Sequence, residues 1–456
     1  MRNAISASIA RIGAPAFARI YRYDRALRRK LTPAGWLAAA LMVAGAVFGL
    51  NTKDSLIYQL FALALGLLLV SAVASGRTRL HARVTRVLPR VATAGTPFEY
   101  VLTVENLGTG SHGSLQVADL LEAKRPTSAE FIRYKVRDDR TRNFFDRLVG
   151  YPRWVSLMRS RIGASIEPSM LPDLLPGATR QVRLRCVPQR RGELQFESVM
   201  VSRSEPLGLM KANWRQKLRE TLVVMPRTYP VAPLQLAGSR RLQPGGVAFA
   251  GRIGDAEEFM SLRDYRSGDT PRRIHWKAWA RTGRPVVKEY QDEFFVRHAL
   301  LLDTFPPAAD AGAFEAAVSL AASVVMTPRS SESLLDLMFV ERHMYTLTQG
   351  RGLGAPSDLL RVLATVTPSR GGFAQLAEAA LLGATRISGA ICVLLAWDAP
   401  RRELVAILRA RGIPLRVWIV RDDGDTGTLD PGPMASDARN FRVATAATLA
   451  AELARP

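Results

Sequence analysis

Two uninterrupted apolar runs stand near the amino end, and the pattern changes character after them. Ala34 to Leu50 contains no charged side chain, and Leu56 to Ala74 contains only Gln59 as a strongly polar residue. As helices they would extend about 26 and 28 Å, close to a hydrocarbon core of about 30 Å. Asn51-Thr52-Lys53-Asp54-Ser55 between them supplies turn formers and opposed charges. The pattern therefore predicts a transmembrane helical hairpin over 34–74, preceded by a basic segment over 1–33. Arg19, Arg22, Arg25, Arg28, Arg29 and Lys30 precede it, and Arg77, Arg79, Arg83, Arg86 and Arg90 follow it. By the positive-inside rule the expected topology is two-pass, with both termini and the soluble domains in the cytoplasm. A cleaved signal peptide fits poorly, because the first run starts late and continues into a second.

From about residue 84 the period drops to two. Phe98 to Asn106, Thr179 to Val187 and Glu193 to Val201 alternate apolar and polar positions, and Leu222 to Met225 closes the region. Such short strands predict an antiparallel β-sandwich over 84–225, with an immunoglobulin-like arrangement. Asp138 to Ser156 reads as an insertion or a short helix. From 298 to 456 the pattern alternates again, between compact apolar strands and amphipathic helices. Ala299 to Asp303, Leu337 to Glu341, Ala390 to Trp397 and Pro414 to Val420 are expected strands. Ala311 to Met326, Ser357 to Ala364, Ala374 to Leu382, Arg401 to Arg411 and Ala444 to Leu453 are expected helices. This predicts an α/β sheet covered on both faces. The fold class is thus an α+β multidomain chain, with residues 226–297 as a junction.

Composition narrows the function. The chain has 456 residues, 63 basic and 40 acidic side chains, a net charge of +23 and two cysteines. Cys186 and Cys392 are too few and too far apart for a disulfide framework or a zinc knuckle. Much of the basic excess flanks the apolar runs, where anionic membrane lipids suffice as its partner. No zinc-finger spacing or aromatic-basic repeat supports specific nucleic-acid binding. A phosphate-binding Gly-x-x-x-x-Gly-Lys loop is absent, and so is a Gly-x-Ser-x-Gly elbow.

The junction concentrates the chemistry. Gly254 to Tyr290 joins an acidic start, a Gly268-Asp269 turn, clustered arginines and two spaced tryptophans. Arg263, Asp269, Arg273, His275, Trp276 and Arg281 are the interface candidates: guanidinium forks for carboxylates or phosphates, and an indole for an apolar groove. The same groups could instead pair internally and hold a folded junction. His275 lacks a demonstrable nucleophile or orienting partner, so it reads as structural.

Glu258-Phe259, Leu262-Arg263-Asp264-Tyr265, Gly268-Asp269, Arg273-Ile274-His275-Trp276-Lys277, Ala280-Arg281 and Val287-Lys288-Glu289-Tyr290 resemble the signature of the DUF58 family, MoxR-associated, membrane-anchored proteins. The resemblance implies a C-terminal domain similar to von Willebrand factor A. It also implies work beside a MoxR-type AAA+ ATPase and other A-domain membrane proteins at the bacterial inner membrane. Domains of that type often bind a divalent metal through Asp-x-Ser-x-Ser. Here Asp303-Thr304-Phe305-Pro306-Pro307 replaces both serines, so no metal or cofactor is expected, and Asp303 with Asp398 marks a degenerate ligand edge. The expected function is a non-enzymatic, membrane-tethered cytoplasmic adaptor or assembly factor. The alternatives are a membrane-bound hydrolase or an envelope-structure or transport accessory protein.

Overall fold

The computed structural model describes residues 2–48, 55–77, 80–123, 125–133, 150–232, 258–291, 296–306, 311–327, 333–350, 353–369, 371–423 and 427–455. It divides into two compact units, Met1–Arg227 and Thr228–Pro456.

The first unit begins with three helices, α1 (Arg2–Lys30), α2 (Pro33–Phe48) and α3 (Ser55–Arg77). Here the expected hairpin of two membrane spans is corrected. Among the described residues one helix is long and apolar enough to cross a membrane, Leu56–Arg77, with mean hydropathy 2.3. The 16 residues of α2 fall short, because at 1.5 Å per residue they reach only about 24 Å. The two-pass inner-membrane topology, with both termini and the soluble domains cytoplasmic, loses its second span. The expected turn at 51–54 lies outside the described residues.

Local chemistry fixes where α2 starts. Thr32 accepts from the Gly35 N–H at 3.0 Å and donates its hydroxyl to the Gly208 carbonyl at 2.5 Å, capping the helix and tying it to a β-turn. Gly35 is required there, since an added Cβ would stand 2.0 Å from the Leu209 carbonyl oxygen. Glu205 shapes that turn by accepting from the N–H groups of Leu207, Leu209 and Met210.

Two sheets follow. One has the order β1 (Ala82–Val87), β3 (Phe98–Asn106), β7 (Thr179–Pro188), β5 (Ala164–Ile166). The other runs β2 (Val91–Thr93), β9 (Lys211–Met225), β8 (Gly192–Ser204), β4 (Leu115–Leu121), β6 (Ser169–Leu171). Their inner faces bury Leu102, Val104, Val117, Leu184, Cys186 and Val199 in one core, as period-two patterning requires of a sandwich. β3 begins and ends where the alternation does. β9 is far longer than its apolar tail Leu222–Met225 suggested: ahead of that tail Ala212, Trp214 and Leu218 alternate with Asn213, Arg215, Lys217 and Arg219, and Trp214 and Leu218 pack against the core. Residues 138–149 lie outside the described set. After Gly150 a helix α5 (Tyr151–Ile162) buries Trp154, Leu157 and Met158 with Phe131 of α4 (Ser128–Arg133).

The sandwich also contains a buried ion pair. Arg86 and Asp119 side chains are 0% exposed and meet at 2.7 Å, and the Tyr100 hydroxyl donates to Asp119 at 2.8 Å. Arg86, expected as a cation flanking a membrane span, is therefore an internal group.

In the second unit β10 (Glu258–Asp264) pairs antiparallel with β11 (Val286–Gln291), and α6 (Trp276–Thr282) lies between them in sequence. The main sheet has the order β14 (Met344–Gln349), β13 (Ser333–Val340), β12 (Val296–Leu302), β15 (Gly389–Leu394), β16 (Leu415–Arg421), β17 (Phe441–Thr445). β14 is antiparallel and the rest are parallel. Strands β13 and β15 are buried throughout; β15 reads as an unbroken apolar run, and β13 does so but for Ser333 and Asp336, the latter paired with Arg297 at 2.5 Å. Helices α7 (Ala311–Met326), α8 (Pro356–Thr365), α9 (Ala374–Gly383) and α10 (Ala399–Ala410) supply the covering layers. The α/β alternation holds, with one correction: Ala444 to Leu453 divides into the end of β17 and a short helix α11 (Leu449–Ala454).

Candidate functional site

The signature segment builds itself from its own turn chemistry. Arg263, at the end of β10, donates from both terminal nitrogens to Asp269 at 2.8 and 2.7 Å, and the Arg266 N–H adds a third bond at 2.8 Å. Gly268 at φ 108° lets the chain turn back for this contact. These bonds, that from Arg263 foremost, hold the Asp269 carboxyl down at about 2. Arg263 and Asp269 are thus brought together as a bidentate internal pair.

His275 caps α6. Its Nδ1 accepts from the Ala278 N–H at 2.9 Å, and the His275 backbone N–H donates to the Val286 carbonyl at 2.8 Å, joining helix and strand. An accepting Nδ1 places the proton of a neutral imidazole on Nε2. Gly283, left-handed at φ 67°, ends the helix by donating to the Trp279 carbonyl. Arg273 sits in the 3-10 turn Pro271–Arg273.

Helix α6 buries none of its residues. Trp276 is 63% exposed and stacks on Trp279, with ring centroids 5.3 Å apart at 20°. Spacing of three residues places both indoles on one side of the helix. Arg266, Arg272, Lys277, Arg281 and Arg284 are exposed in the same segment. Of the six candidates, then, Arg263, Asp269 and His275 are engaged in shaping the segment, while Trp276 and Arg281 face outward. Trp279, the second of the two spaced tryptophans, was not among the six candidates, although its spacing from Trp276 was the available signal.

The second candidate place is the carboxyl edge of the main sheet. Asp303, fully buried beyond β12, accepts from the N–H groups of Phe305 and Leu395, each at 2.9 Å, and from Arg401 Nε at 2.6 Å. Arg401 Nη1 reaches Asp398 at 2.6 Å, Nη2 reaches the Phe305 carbonyl at 2.9 Å, and the guanidinium lies 4.6 Å from the Phe373 ring centre. Burial opposes its charge, but the bonds to Asp303 and Asp398 outweigh burial and raise its pKa. The two acidic residues marked as a ligand edge therefore do converge, onto an internal cation. Arg401 was not anticipated, although Asp398-Ala399-Pro400-Arg401 places a capping carboxylate and an arginine at helical spacing.

A divalent metal does not fit here. Its two acidic ligands are engaged by Arg401, and Phe305 offers no side-chain oxygen. Among the described residues no group of three His, Cys, Asp or Glu side chains is placed to hold a metal.

Residues 261–408 match a family described as protein of unknown function DUF58. The uncharacterized protein YeaD of Bacillus subtilis (strain 168) is 31% identical over 195 residues, or 42% of this chain and 47% of that protein. The chain thus spans about half the length of this relative. Among solved structures, proximal thread matrix protein 1 of mussel byssus is similar at 11% identity, covering 35% of this chain and 46% of that one with TM-score 0.27. The ASH/PapD-like domain of human CEP192 is similar at 14% identity, covering 31% and 85%, with TM-score 0.17. At such scores neither likeness carries an argument. Residues 261–408, from the Arg263–Asp269 turn to the helix that carries Arg401, form a DUF58-like domain.

Proposed function

We propose that this chain is a non-enzymatic adaptor or assembly factor that docks a protein partner on the outward face of α6, and that the partner is a MoxR-type AAA+ ATPase. The observation that carries this reading is the stacked Trp276–Trp279 pair on a helix with no buried residue. An exposed stack loses little entropy on binding, and tryptophan and arginine dominate the energetics of protein interfaces. Lys277, Arg281 and Arg284, exposed around it, favour an acidic partner face. Engagement of Arg263, Asp269 and His275 in the turn and cap keeps this face in one conformation. In the same reading the apolar helix Leu56–Arg77 supplies a membrane tether.

The test is direct binding of the purified full chain to a MoxR-type ATPase. Trp276→Ala and Arg281→Glu, each with an unchanged thermal transition, are expected to weaken binding by at least about tenfold. Binding at full strength by both variants, or no binding by the parent chain, would refute the assignment.

A further inference from the structure

A second surface lies in the first unit. The last turns of α1 carry Arg22, Arg25 and Arg29 at spacings of three and four, so they share a helix face. Strand β9 presents Lys211, Asn213, Arg215 and Lys217 at alternate positions, hence on one sheet face, with Arg219 exposed beyond them. Asn213 joins the two arrays by donating to the Arg29 carbonyl at 3.1 Å. Cations from elements far apart in sequence are thereby gathered into one seam.

They repel one another. Burial, then Arg25 and Arg215, push the Arg29 pKa down to about 10. The carboxylates paired in this region are Asp24, with Arg28 at 2.9 Å, and Glu197, with Arg215 at 2.7 Å. Such a concentration of like charge destabilises the free protein and is relieved by an external anion.

What adjoins the seam identifies the anion. Leu31 and Thr32 lead directly from it into α2, where Trp36, Leu37 and Leu41 are 43%, 69% and 56% exposed. A polyanion in water would satisfy the cations and leave these side chains in solvent. An anionic bilayer surface takes the cations at headgroup level and the apolar side chains below, with Trp36 at the boundary. We propose that the seam between the end of α1 and the outer face of β9 is a docking surface for anionic lipid headgroups.

The full chain, diluted from detergent onto vesicles, tests this. Vesicles of phosphatidylcholine with phosphatidylglycerol should bind at least about tenfold more protein than phosphatidylcholine alone, a preference that salt erodes. Reversing Arg22, Arg25, Lys217 and Arg219 to Glu should abolish the preference. Arg180→Glu, Arg183→Glu and Arg185→Glu, on exposed positions of β7, should reduce it much less. Matching thermal transitions in both variants exclude misfolding as the cause. Equal partition into both vesicle types, equal loss in the two variants, or displacement from vesicles by a DNA or RNA duplex would each overturn the proposal.

Discussion

Removing the Arg401 side chain is the sharpest perturbation of the DUF58-like domain. Truncation to Ala leaves Asp303 fully buried with two backbone N–H donors, from Phe305 and Leu395, in place of three bonds. Asp398, 49% exposed, is re-solvated by water and adds little. Breaking a buried pair by deleting one partner costs about 3–5 kcal/mol. The two surviving donors place this case toward the lower figure, about 3 kcal/mol, a large share of a domain stability of roughly 5–15 kcal/mol. Arg401→Lys should cost about half as much, because one ammonium cannot span Asp303, Asp398 and the Phe305 carbonyl together. Denaturant titration read by hydrogen exchange at the Phe305 and Leu395 amides isolates the effect to this unit. Arg401→Ala within about 1 kcal/mol of the parent would refute the reasoning. So would calorimetric titration of magnesium or manganese into the parent chain showing stoichiometric binding, since the guanidinium would then not hold the place of a cation.

Three further outcomes follow from the remaining geometry. The Asp269 carboxyl should titrate near 2, well below the ordinary 3.8. Because its folded pKa is depressed, the stabilisation is present at neutral pH and disappears as pH falls through about 2; an NMR midpoint near the ordinary value would contradict the bidentate contact. His275→Ala should loosen the amides of α6 by about 1 kcal/mol in hydrogen exchange, and His275→Asn should restore most of it, since both supply or remove a cap acceptor; equal loss in both variants would mean the ring packs rather than caps. Burial pushes the thiols of Cys186 and Cys392 up to about 12, so neither should react with a thiol reagent at pH 8 until the protein unfolds; rapid stoichiometric labelling of the native chain would count against both assignments.

Periodicity carried most of the fold because it reports burial, and burial is what the strands share. Phe98 to Asn106 alternates and is a half-buried strand, and Ala311 to Met326 has the residues of the helix found there. The same criterion failed where burial and secondary structure part company. In the first half of β9 the apolar residues Ala212, Trp214 and Leu218 alternate with Asn213, Arg215, Lys217 and Arg219, so a period-two signal was present but sparse, broken by Gln216. Ala444 to Leu453 was expected as one helix, yet a turn over 446–448 separates the end of β17 from α11. The expected first membrane span failed on length. Apolar composition was read correctly, but Thr32 caps α2 and the helix counts 16 residues, Pro33–Phe48, among those described. Within the signature segment, residue types announced polar chemistry without saying which groups would satisfy one another; that needed the turn that brings Asp269 back onto Arg263.

Charge was the least legible property, and the reason is physical. A net charge of +23 invites the view that each arginine is available to a partner, yet a guanidinium can also serve as an internal cation when carboxylates and backbone carbonyls together meet its donors. Arg86 does so against Asp119 in the sandwich, and Arg401 does so against Asp303 and Asp398 at the sheet edge. In each case an aromatic ring lies over the cation, Phe196 for Arg86 and Phe373 for Arg401. Arg86 meets Asp119 and Arg401 meets Asp303 across long stretches of sequence, so apart from the three-residue spacing of Asp398 and Arg401 no local pattern separates them from the exposed Arg281 or Arg219. What distinguishes the two classes is the free energy of desolvation: a buried guanidinium is tolerated only with its partners in place, whereas an exposed one is tolerated anywhere. Charge reversal at Arg281 or Arg219 should therefore alter binding and leave the fold, and truncation of Arg86 or Arg401 should do the opposite.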